Sequence, residues 1–105
     1  MKDFKDLKDD IFDEINDAEK YIRKAIASKE ENPERAELYC RLSGEELGHM
    51  EALHGELVKE IKAWQEKTGQ TPPPDMQARY DMLHEIAMDN VRKIKAEIRM
   101  FKEEE

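Results

Sequence analysis

Glu46 and His49 form a Glu-x-x-His pair inside the stretch EELGHMEALH, residues 45–54. A helix advances about 100° per residue, so the two side chains lie about 60° apart on one side. The apolar positions around them are Leu38/Tyr39, Leu42, Met50, Leu53, Leu57, Ile61 and Trp64. On a helical wheel Glu46 falls almost on the mean direction of that stripe, so the pair is expected to point inward. Burying an unpaired carboxylate costs on the order of several kcal/mol. A buried Arg or Lys, a protonated carboxyl partner or a metal must therefore offset Glu46. Arg41 and Lys59 sit well off the stripe, which leaves a metal as the leading candidate. A carboxylate with a neutral imidazole suits iron, manganese or zinc.

The elements that must carry these residues are legible from apolar spacing. Phe4, Leu7, Ile11, Ile15, Ala18, Ile22 and Ala25/Ile26 step by three and four, which predicts a helix over about 4–30. Asn32 and Pro33 supply a cap and a first-turn proline for a second helix over about 33–67. Thr68-Gly69 followed by Pro72-Pro73-Pro74 reads as a stop and a stiff connector over 68–74. Asp75 is the expected cap of a third helix over about 75–102. Its stripe is Met76, Tyr80, Leu83, Ala87, Val91, Ile94, Ile98 and Phe101. The prediction is one all-α domain, a long antiparallel hairpin with a third helix that returns along helix 2 or reaches a neighbouring subunit.

The tight turn at Asn32 sets residue n of helix 1 level with about residue 64 − n of helix 2. Glu14 then lies beside His49, and Glu19 lies beside Glu46. They flank the helix 1 stripe on opposite edges, and the wheel does not choose between them. Of 105 residues, 42% are charged and 38% hydrophobic, which leaves little for a large private core and favours a core shared with a second copy. The net charge of −8 disfavours nucleic acid and anionic membranes and favours cations. No apolar run approaches 18 residues and no basic-then-apolar leader is visible, so neither a membrane span nor a secretory signal is expected. The single cysteine, Cys40, suits a reducing cytoplasmic setting and reads as a small packed side chain.

A Glu on a first helix and Glu-x-x-His on a second resembles the ferritin-like di-iron carboxylate proteins. Glu14 precedes Glu46 by 32 residues, near the spacing in that superfamily, and Tyr21 follows Glu14 by seven, as a tyrosine often does there. Both points favour Glu14 over Glu19. Helix 3 has no inward Glu-x-x-His; in Asp81-Met82-Leu83-His84 the aspartate lies far round the back. The chain therefore resembles the encapsulated-ferritin type, whose half-sites are completed by dimerisation. The resemblance covers residues 10–60. It implies a ferritin-like four-helix bundle formed by a homodimer, the minimal unit of a higher homo-oligomer. It also implies a di-iron ferroxidase centre of paired Glu14, Glu46 and His49, with manganese, zinc or calcium as surrogates. In that picture Glu46 bridges and Glu14 and His49 are terminal ligands. Glu45, Asp17 and Glu19 would attract iron at the entry, and Tyr21 and Tyr39 would stand behind the ligands or in the core. An encapsulin-type shell is a partner of such proteins, although MFKEEE at residues 100–105 lacks an apolar docking peptide.

His54 lies about 140° from His49 and is not expected among the ligands, while His84 reads as a surface residue between Asp81 and Glu85. Two other readings use the same helices. One is a non-catalytic assembly protein in which Glu46 pairs with a basic side chain across an interface. The other is a dinuclear peroxidase-like or manganese-binding protein.

Overall fold

The computed structural model describes residues 2–104, and the side chains of residues 4–104. They form three helices and no strand: α1 (Lys2–Ser28), α2 (Pro33–Thr68) and α3 (Pro74–Glu103). The all-α expectation holds, with each boundary within two residues of its predicted place. Asn32 caps α2 as expected, its side chain accepting from the Arg35 N–H at 3.1 Å, with Pro33 at the first position. Gly69 closes α2 at φ 66°, a left-handed conformation that a Cβ would strain, and its N–H donates to the Gln65 carbonyl. The α3 cap differs from expectation. Pro74 already begins the helix, Pro73 takes the cap position and no side chain caps it. Asp75 lies in the first turn, where its charge complements the helix dipole.

The buried residues of α1 are Ile11, Ile15, Ala18, Ile22 and Ala25, and those of α2 are Ala36, Cys40, Ser43, Leu47, Met50 and Leu57. The steps are four and three, with one of seven from Met50 to Leu57, the spacing of antiparallel helices packed in a shallow left-handed twist. Small side chains line the closest approach: Ala18 and Ala25 face Ala36, Cys40 and Ser43. There the buried Ser43 hydroxyl donates to the Ala18 carbonyl at 2.6 Å. This contact sets 18 level with 43, rather than with 46 as counting from the turn gives. It also corrects the expected α2 stripe. Leu38 is 42% exposed, and Glu46 lies at the edge of the buried face rather than at its centre. Large apolar residues flank this seam because only small ones fit within it.

Helix α3 lies back along the hairpin, more against α1 than α2. Phe4 meets Tyr80 near the starts of α1 and α3, and the Lys29 ammonium donates to the Phe101 carbonyl at 2.9 Å near their ends. The two helices therefore run in the same direction. Ala87, Val91, Ile94 and Phe101 are buried, whereas Met76, Met82 and Ile86 nearer the start of α3 are exposed. The molecule is a rod 56 Å long and 18 Å across, the length of α2 alone. Its radius of gyration is 16.8 Å, against about 13 Å for a compact chain of this size. Much helical surface is thus left uncovered. Among the described residues no helix is long and apolar enough to cross a membrane.

Replacing Ser43 tests the seam. Ser43→Ala is expected to cost about 1 kcal/mol through the lost hydrogen bond. Ser43→Leu is expected to cost up to about 3 kcal/mol by forcing the helices apart. Urea unfolding of both variants gives the comparison.

Candidate metal centre

The Ser43–Ala18 contact lies one turn from Glu14 and one turn from Glu46. Four residues before Ala18 is Glu14, and three after Ser43 is Glu46. In this register Glu14, Glu46 and His49 converge, one donor atom from each lying within 4.8 Å of the others. His49 Nδ1 is 3.6 Å from Glu14 Oε2 and 3.8 Å from Glu46 Oε2. These separations are too long for hydrogen bonds. Donors at about 2.1 Å from one ion lie at most about 4.2 Å apart, so small side-chain rotations would bring all three onto a shared cation. Glu14 Oε2 is buried and has no hydrogen-bond partner. Among the described residues no lysine or arginine lies within ion-pair distance of Glu14 or Glu46. A divalent ion fits this donor set: it would offset two neighbouring carboxylates and satisfy the orphaned oxygen.

The three residues sit on an edge of the hairpin that α3 leaves open. Glu51, two residues after His49 and therefore about 200° round α2, reaches across to Lys95 of α3 at 3.5 Å. Phe12, two residues before Glu14, likewise packs on the α3 side. The side chains of Glu14 and Glu46 are 25% and 19% exposed, and that of His49 is 62% exposed. The expectation that Glu46 and His49 point inward together is corrected accordingly. Glu46 is half-buried beside Glu14, and His49 stands on the rim, because the small-residue seam takes the centre of the buried face.

The other expected participants lie elsewhere. Glu19 is on the opposite edge of α1, bonded to Arg23 at 2.6 Å. Glu45 is exposed and faces Arg41 at 3.9 Å, and Asp17 is exposed. Tyr21 and Tyr39 stack at 6.1 Å, two turns along the same open edge, with Lys20 and Lys24 over their rings. Cys40 is buried in the seam. His84 is not the surface residue its acidic neighbours suggest. It is half-buried, 5.3 Å from the His54 ring and 6.0 Å from Tyr80. Helix packing brings these rings together from 30 positions apart, which local spacing could not reveal.

Burial, then the neighbouring His84, holds the His54 pKa below its ordinary 6.5, and burial, then Asp81, raises that of Tyr80 above 10.0. No protein-family model matches the chain, and no curated protein or solved structure matches it.

Two outcomes are expected. Glu14→Gln removes a buried charge, so it should raise the melting temperature of the metal-free protein while abolishing the stabilisation that added Mn(II) gives the wild type. Thermal melts with and without Mn(II) read both. For His54, folded and unfolded states are both neutral well above pH 6.5. As pH falls below 6.5 the unfolded chain takes up the proton first, so stability is lost down through the lowered folded pKa. Urea midpoints at about pH 7.5 and about pH 5 should therefore converge toward each other in His54→Leu relative to wild type.

Proposed function

We propose that this chain is a half-site ferroxidase, in which two copies bring together two sets of Glu14, Glu46 and His49 to bind Fe(II) and oxidise it to Fe(III). The carrying observation is the three-residue cluster, with a buried carboxylate oxygen that has no hydrogen-bond partner, on an uncovered edge of the hairpin. One cluster supplies three donors, too few to surround an ion by itself. Two supply four carboxylates and two imidazoles, the inventory of a dinuclear carboxylate site. Four carboxylates around two Fe(II) ions sum to zero charge, which makes their burial between subunits tolerable. The pairing would also cover the half-exposed apolar residues beside the cluster, Leu7, Leu42 and Leu53 among them.

Iron is the substrate of this reaction. In this reading Glu46, the least exposed of the three, would span two ions, with Glu14 and His49 holding one each. Two Fe(II) ions give up one electron apiece, and dioxygen with two protons leaves as hydrogen peroxide. The surplus of 26 acidic over 18 basic residues draws ferrous ions toward the protein. The setting in this proposal is the reducing cytoplasm, where Fe(II) persists, and the role is iron storage or detoxification.

The test starts from chelator-stripped protein. Anaerobic Fe(II), or Mn(II) as a surrogate, should shift its sedimentation from a smaller to a dimeric or larger species, with two ions per pair of chains. Admitting air should give ferric absorbance at least tenfold faster than in Glu46→Ala or His49→Ala. Identical apo and loaded sizes with no bound ion would refute the proposal. So would a metal-independent dimer in which a partner lysine or arginine holds Glu46.

A further inference from the structure

On the opposite side of the hairpin, α1, α2 and the first half of α3 together line a cavity of about 690 Å3. That is within the range of small-molecule sites, about 300–1,000 Å3. Its walls are apolar and come from all three helices, with Ile11 and Phe12 from α1, Leu57 and Ile61 from α2, and Leu83 and Ala87 from α3. Lys5, Lys8, Lys62 and Arg79 also line it. Among the described lining residues there is no carboxylate, although the chain carries 26 acidic residues against 18 basic ones. Lys8 lies 3.7 Å from Asp9, a contact at the surface. No ion pair engages Lys5, Lys62 or Arg79 among the described residues.

These groups are ordered along the rod. The basic residues sit toward the end where α1 begins and α2 stops, while His54 and His84 lie further in. His54 Nε2 is buried without a hydrogen-bond partner, which leaves a polar contact open among the apolar walls. Three uncommitted cations at one end of an oily chamber, on a protein of net charge −8, are complementary to a molecule of one particular kind.

We propose that this cavity binds an amphipathic monocarboxylate of the fatty-acid class. Its hydrocarbon body lies between the three helices, and its carboxylate sits against Lys5, Lys62 and Arg79. Burial of the hydrocarbon chain supplies the affinity, and the cations select an acid over a neutral oil. The site is separate from the Glu14, Glu46 and His49 edge, and the proposal stands without that reading.

Trp64, the one tryptophan of the chain, lines the cavity and reports its occupancy. cis-Parinaric acid, whose absorbance overlaps tryptophan emission, is titrated as free acid into the full-length protein. Saturable energy transfer from Trp64 at one acid per chain, with oligomeric state unchanged by sedimentation, is expected. The methyl ester, and the free acid with the K62A/R79A double variant, should each bind at least tenfold more weakly. Both substituted side chains are exposed, and circular dichroism checks that the variant folds. Equal binding of acid and ester overturns the proposal, as does an unsaturable signal. A dimer that buries Trp64 and excludes the probe overturns it in favour of a second copy. Cosedimentation with phosphatidylglycerol vesicles without uptake of free acid overturns it in favour of a membrane surface.

Discussion

The close approach of α1 and α2 at Ala18 and Ser43 is the constraint on which the rest of the molecule depends. Two helices that meet through alanine, serine and cysteine side chains have little freedom to slide, because the neighbouring Ile15, Ile22 and Leu47 interlock on either side. The Ser43–Ala18 hydrogen bond selects one register from those the apolar pattern would tolerate. In that register Glu14 meets Glu46 and His49, and Tyr21 meets Tyr39. A slip of one helical turn would scatter the donor set. The chemistry proposed for the edge therefore rests on a hydroxyl in the seam.

Much of the fold was legible because its signals are local. Three- and four-residue steps, the Asn32-Pro33 cap and the Gly69 stop mark the helices to within two residues. The trio Glu14, Glu46 and His49 was legible for a related reason. A short turn ties the two helices, so counting from it places residues to within about one helical turn. That precision could not separate Glu14 from Glu19. The structure separates them because Glu19 turns to Arg23 on the other edge. The centre of the α2 face was misread for a physical reason. Hydrophobicity weights Leu38 and Leu42, whereas close packing selects Ala36, Cys40 and Ser43. The His54–His84 pair was beyond reach, since it depends on where α3 docks after a connector that fixes no direction.

The two long sides of the hairpin have opposite character. One carries paired carboxylates, a rim histidine and stacked tyrosines, and is open to a partner. The other is covered by α3 and holds an apolar chamber with cations at its end. A chain with 42% charged residues can fill only a thin core, so it concentrates packing in one seam and leaves both flanks available for binding.

The two ends of α3 are attached differently. Its covalent link to α2 enters at Pro74, without a side-chain cap, while a hydrogen bond from the hairpin holds its far end. There Lys29 bonds the Phe101 carbonyl and lies 4.6 Å over the Phe101 ring. Twenty-seven residues, about 40 Å of helix, separate tether from clasp. The third helix is thus held at both ends of the rod, by Tyr80 against Phe4 and His84 against His54 at one and by the Lys29 clasp at the other, so the chamber's width is set by ring contacts rather than by the connector.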